Sequence, residues 1–213
     1  MMIFVETNFV IELAALQEEA EEAEEAELIV ISAEKQELKL FIPAFSLTEP
    51  FETYARWRKQ RNQTRNDFDR QLKQLARSQD YADLVQASQT ISDVFSASAV
   101  AQTSRLRATL SRLIQCSTIL PLNESVITRS IAAQDEFGLE PQDAVVFASV
   151  ESGLETHQAE GSRIFITKDR SAFATEQVME HFRNLQCDVI PAIGPAIGVV
   201  KRQPAEVADA IQA

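Results

Sequence analysis

The chain has 213 residues, with 20 basic and 32 acidic side chains, so its formal charge at neutral pH is −12. Hydrophobic residues make up 45%, enough for a core, and five glycines with seven prolines are few enough to favour helix. These figures exclude wholesale disorder, a collagen-like repeat and a disulfide-stapled scaffold, and they argue against nucleic-acid binding through net charge alone.

The charge is segregated. Seven glutamates and no base fall between Glu18 and Glu27, whereas Arg56 to Arg77 carries eight bases against Asp67 and Asp69. Each block reads either as a solvated helix face or as a surface with a partner. The amino terminus has no basic segment followed by a long apolar run, so no signal peptide is read and a cytoplasmic location is expected. No stretch suits a membrane span, because Val189 to Val200 is broken by Pro191, Gly194, Pro195 and Gly198. Cys116 and Cys187 lie far apart without a paired motif and read as ordinary buried thiols.

In chain order, Ile3 to Val5 is a short strand, and Glu6-Thr7-Asn8 is suited to start a helix. Val10 to Leu16 suggests the first helix and Ala20 to Ala26 a second, with Leu28 to Ile31 open to either strand or helix. Leu38 to Phe45 reads as a strand ending near Pro43, with Ser46 and Thr48 available as caps. From Phe51 to Leu120 no glycine or proline occurs, and apolar residues from Tyr54 to Leu113 recur at spacings of three and four. That pattern predicts two or three amphipathic helices over about 51–116. Ser117 to Leu122 then reads as a strand, Glu124 to about Phe137 as a helix ended by Gly138, and Asp143 to Ser152 as a helix stopped by Gly153. Arg163 to Thr167 and Cys187 to Ile190 are the last two strands. Strands alternating with helices predict a single α/β domain over 1–213, with a mostly parallel sheet covered on both faces.

Four acids stand where strands end or helices begin: Glu6, Glu49, Asp143 and Asp169. The carboxyl ends of parallel strands share one edge, where ligands bind, so these side chains can converge. Gathered carboxylates repel one another and call for a cation, and all-oxygen ligation favours Mg²⁺ or Mn²⁺. With only His157 and His181, neither beside a cysteine or a second histidine, zinc is disfavoured. Each acid singly also fits as a favourable charge at a helix start or as a turn residue.

The succession IFVETNFVIEL, LFIPAFSLTEPFE, LEPQDAVVFASV and FITKDRSAF resembles the PIN-domain family of metal-dependent ribonucleases, which includes VapC-type toxins. The resemblance spans about Met2 to Ile190. It implies a three-layer α/β/α fold and two helices between the first two strands, which makes Leu28 to Ile31 helical. It also implies that Glu6, Glu49, Asp143 and Asp169 hold Mg²⁺ or Mn²⁺ and form the catalytic set with Thr167, with Asn8 near the rim. The activity implied is hydrolysis of RNA phosphodiester bonds, as in the toxin of a toxin–antitoxin pair. The chain departs from the family in two ways: the first acid is usually Asp and here is Glu6, and the helical stretch exceeds that of the small toxins. A PIN-like protein with weakened chemistry, binding RNA or a protein partner, is the alternative.

Arg58, Arg61 and Arg65, at i, i+3 and i+7, share a helix side about two turns beyond Glu49 and are expected to contact RNA phosphates. Trp57 reads as core or as a base-stacking platform. The apolar stripes between Phe68 and Leu113 are expected to form a homodimer, to hold a small antitoxin protein, or to pack only on one another.

Overall fold

The computed structural model describes residues 1–15, 21–157, 161–196 and 198. In chain order the elements are β1 (Met2–Val5), α1 (Thr7–Ala14), α2 (Glu21–Glu34), β2 (Lys39–Pro43) and α3 (Ala44–Leu75). A 3₁₀ turn at Gln79–Tyr81 leads into α4 (Ala82–Cys116), followed by β3 (Ser117–Leu120), α5 (Glu124–Phe137) and α6 (Pro141–Thr156). The chain closes with β4 (Arg163–Ile166), α7 (Arg170–Phe173), α8 (Glu176–Asn184) and β5 (Cys187–Ile190). Leu16, Glu18, Glu19 and Ala20, assigned above to the first helices and the acidic run, lie outside the described residues, as do Val199 and Val200.

The five strands form one sheet in the order β3-β2-β1-β4-β5, and every pairing is parallel. Such strands are buried on both faces and so read as continuous apolar runs. Their side chains divide strictly by period two. Ile3, Val5, Leu40, Ile42, Ile164 and Ile166 enter a core with α1, α2, α3 and α4, while Phe4, Phe41, Phe165 and Val189 enter a second core with α5, α6, α7 and α8. The architecture is therefore α/β/α in three layers. Phe4 stacks on Phe41 at 4.8 Å, and Phe147, Phe165 and Phe182 pack with ring centroids 5.0–5.4 Å apart. Each buried phenylalanine contributes roughly 1.5–3 kcal/mol.

Leu28 to Ile31 is helical, as the expected pair of helices between the first two strands requires, with Ile29 and Val30 buried. Other boundaries differ from the sequence reading. α3 starts directly behind Pro43, so Ser46 and Thr48 are inside the helix rather than capping it, and the Thr48 hydroxyl donates back to the Phe45 carbonyl at 2.9 Å. Gly153 does not stop α6. It sits within the helix where a Cβ would stand 2.8 Å from Leu120 and 3.1 Å from Phe4, so the glycine permits α6 to approach the sheet. α8 was not anticipated, because its short amphipathic run between Glu176 and Asn184 is only nine residues long. Cys187 is buried as expected and burial pushes its thiol up to about 12, whereas Cys116 is half-exposed.

α3 and α4, of 32 and 35 residues, pack antiparallel as a hairpin. At about 1.5 Å per residue they are each roughly 50 Å long, and buried residues are concentrated at the ends next to the sheet, such as Tyr54, Leu106, Leu110 and Leu113. Part of the acidic run is matched by a base: Arg112 of α4 bridges Glu27 and Glu34 of α2, each at 2.7 Å. No helix among the described residues is long and apolar enough to cross a membrane.

Gly138 ends α5 in the left-handed region, at φ 66°, as its sequence position suggests, and nothing lies within 4 Å of an added Cβ. Its contribution is therefore conformational alone. Gly138→Ala is expected to lower stability by about 1 kcal/mol in urea unfolding, with Gly138→Asn losing less because Asn tolerates this region. Equal stability of glycine and alanine here would contradict that reading.

Candidate active site

The strand order reverses between β1 and β4: the chain moves outward through β2 and β3, then returns to lay β4 against the other side of β1. In an open parallel sheet this switch point opens a crevice at the carboxyl ends of the strands. The register pairs Val5 with Ile166, so Glu6 and Thr167 leave the sheet side by side.

Glu6 is 4% exposed, and both carboxylate oxygens accept backbone hydrogen bonds, Oε2 from Asn8 N–H at 2.7 Å and Oε1 from Lys168 N–H at 3.1 Å. It thus caps α1 and pins the β4–α7 turn to the β1–α1 turn. Burial raises its pKa, opposed by the amides of Asn8 and Lys168, while Asp169 adds a smaller rise. Next to it, Thr7 Oγ1 donates to Glu49 Oε2 at 2.5 Å, joining the first turn of α1 to the second turn of α3. Asp169 caps α7, its Oδ1 accepting from Ala172 N–H at 2.9 Å and Ser171 Oγ at 2.6 Å. Thr167 stands behind it: its Oγ1 accepts from Asp169 N–H at 3.0 Å and its own N–H donates to the Ile190 carbonyl.

Asp143 lies in the first turn of α6, entered through Pro141. Its pKa is pushed up to about 6, first by burial and then by the charges of Asp169, Glu49 and Glu140. Those repulsions carry geometric information, because they require the other acids to be near.

All four predicted acids and Asn8 line one cavity of about 760 Å³. Thr167 does not line it, being 1% exposed beneath the β4–α7 turn. Other lining residues, among them Thr7, Arg56, Trp57 and Glu140, had no assigned role or an open one. Trp57 packs against the core beside Tyr54 at 5.1 Å, the first of its two sequence readings, and also lines the cavity wall. The donors are all oxygens, the set that suits Mg²⁺ or Mn²⁺. Among the described residues no three His, Cys, Asp or Glu side chains are close enough together to clasp an ion.

The three arginines divide. Arg61 turns to α4, donating to Gln102 Oε1 at 2.7 Å and Ser98 Oγ at 3.5 Å. Arg65 does likewise, donating to Ser96 Oγ at 2.6 Å and lying 3.8 Å from Asp69. Arg58 is exposed on the other flank, in a groove formed by α3 alone. The i, i+3, i+7 spacing is a true helix side, but the hairpin partner occupies part of it, which a linear sequence does not reveal.

No protein-family model and no curated protein matches this sequence, so the site is read from its own geometry.

A raised pKa in the folded state means that the fold binds the Asp143 proton more tightly than the unfolded chain does. The contribution to stability is then greatest below about pH 4, declines as the pH rises towards 6, and is lowest above that. Asp143→Asn removes the ionised form. After reduction for partial exposure, the variant is expected to be about 1 kcal/mol more stable than the parent at pH 7 in EDTA, and no more stable at pH 4. Urea unfolding at the two pH values measures this, and a variant less stable at pH 7 would contradict it.

Proposed function

We propose that the chain is a PIN-like, Mg²⁺- or Mn²⁺-dependent ribonuclease that hydrolyses RNA phosphodiester bonds in this cavity. The observation that carries the reading is the convergence of Glu6, Glu49, Asp143 and Asp169, from four distant chain segments, on one cavity at the switch point of a parallel sheet. A Ser-His or Cys-His pair is not needed for such chemistry, since a divalent ion bound there would activate water and neutralise the phosphate.

The chain's own groups have separable parts. Glu49, Asp143 and Asp169 are the half-buried carboxylates of the cavity lining that would hold the ion. Thr7 orients Glu49 through its hydroxyl, and the α7 amide and Ser171 hold one oxygen of Asp169, leaving its other oxygen free of those two bonds. Thr167 is a positioning residue that fixes the Asp169 backbone. Glu6 sets the distance between the two turns through its two amide bonds.

The same two bonds favour a second reading. A carboxylate whose two oxygens are both engaged by backbone amides is a structural staple first and a ligand only through its remaining lone pairs. On that reading the protein binds RNA or a protein partner with weakened or no hydrolysis.

Purified protein is expected to degrade single-stranded RNA with Mn²⁺ or Mg²⁺, to stop in EDTA, and to lose at least about a hundredfold of its rate as Asp143→Asn. Undiminished hydrolysis by the variant would contradict the proposal. Calorimetric binding of Mn²⁺ without hydrolysis would select the second reading.

A further inference from the structure

The bases of α3 differ in what they already bind. Arg61 and Arg65 are committed to α4, and Arg70 pairs with Asp67 at 2.8 Å. Arg56, Arg58 and Lys59 are exposed and have no hydrogen bond or ion pair among the described residues. For Arg56 this holds although five acids, the four above and Glu140, line the same cavity. A guanidinium at the mouth of an acidic cavity, unpaired, is available to an incoming anion.

Beyond Arg56 the helix continues the same chemistry. Residues three and four apart are neighbours on a helix, so Arg56, Lys59, Gln63 and Asn66 form one ridge, with Arg58 and Asn62 on its flank. Lys59, Gln63, Asn66, Arg58 and Asn62 line one groove of about 670 Å³. Its one acid is Asp67, which Arg70 neutralises. Cations for phosphates and amides for sugars and base edges are the donor set of a nucleic-acid contact surface. From Arg56 to Asn66 the ridge spans about 15 Å, a reach of two or three phosphates along one strand. A single row on one helix cannot follow both strands of a duplex. At the cavity end, Trp57 offers a half-buried ring on which a base can stack.

We propose that the ridge Arg56-Lys59-Gln63-Asn66, flanked by Arg58 and Asn62, is a track for single-stranded nucleic acid that leads a flexible strand into the carboxylate cavity. Arg56 holds the phosphate that enters, and Trp57 stacks the adjoining base. The track deepens the nuclease reading and rests on it for direction, but binding to it needs no hydrolysis.

The test is fluorescence anisotropy of the full chain in EDTA, where cleavage is off, with labelled oligo-U RNA, oligo-dT DNA and a blunt RNA hairpin. Arg58→Glu with Lys59→Glu is expected to weaken both single strands at least tenfold at about 50 mM salt and to flatten the salt dependence. Lys73→Glu with Arg77→Glu, an equal charge change on exposed residues at the far end of α3 and in the turn just beyond it, is expected to change affinity less than twofold. Similar RNA and DNA affinities mark a phosphate track alone, and tighter RNA binding adds recognition of the 2′-hydroxyl; either result supports the track. Equal weakening by both pairs, no weakening by the first, or preference for the hairpin would overturn it. Mn²⁺-dependent cleavage that persists with unchanged binding in Arg58→Glu, Lys59→Glu removes the track and leaves the nuclease. Track-dependent binding without cleavage removes the nuclease and leaves the track.

Discussion

The parallel register that sets Val5 against Ile166 places the turn after β1 against the turn after β4, although some 160 residues of chain lie between them. Glu6 locks this arrangement. One oxygen holds the amide of Asn8, the other that of Lys168, and the residue is largely buried at the cavity's edge. Asp169 then starts α7 one residue beyond Lys168, and Thr7 reaches Glu49 from the residue after Glu6. Most of the cavity floor follows from that one doubly bonded side chain. Removing a buried carboxylate's partners while leaving the charge is costly, so the position is constrained whether or not it also touches an ion.

Burial holds the ionised forms of Glu6 and Asp143 at an energetic disadvantage. Asp143 titrates upward because burial and three neighbouring carboxylates oppose its ionised form. A fold that keeps like charges together spends stability to do so, and such groupings mark functional sites more often than structural ones. A divalent cation bound there would remove the disadvantage, which links the electrostatics to the proposed chemistry. The α3–α4 hairpin adds a different element, a long helix whose inner side is consumed by packing and whose outer side begins inside the cavity with Arg56.

Much of this was legible in the sequence. Apolar runs such as IFV and RIFI mark strands buried on both faces, and the acids at strand ends or helix starts, Glu6, Glu49, Asp143 and Asp169, could be picked out before the fold placed them all on one cavity. Three things were not. The mutual facing of Arg61 and Gln102 depends on the hairpin's pairing, which joins residues 41 positions apart. The burial of Gly153 inside α6 depends on how closely that helix meets Leu120 and Phe4. Arg56 and Thr7 reach the cavity through helix phase relative to the sheet, which periodicity leaves undetermined. The local signal names the elements, and the tertiary contacts decide which face of each is used.

The net charge of −12 is consistent with this picture because it is distributed unevenly. Glu27 and Glu34 are bound to Arg112, five acids line the cavity, and the exposed bases of α3 lie beside them. The most direct measurement of the central claim is an anomalous-difference map from crystals soaked in Mn²⁺. The account predicts density within the cavity in contact with oxygens of Glu49, Asp143 and Asp169, and its loss in Asp143→Asn. Manganese bound only outside it, for example along the glutamates of α2, with the cavity empty, would contradict it.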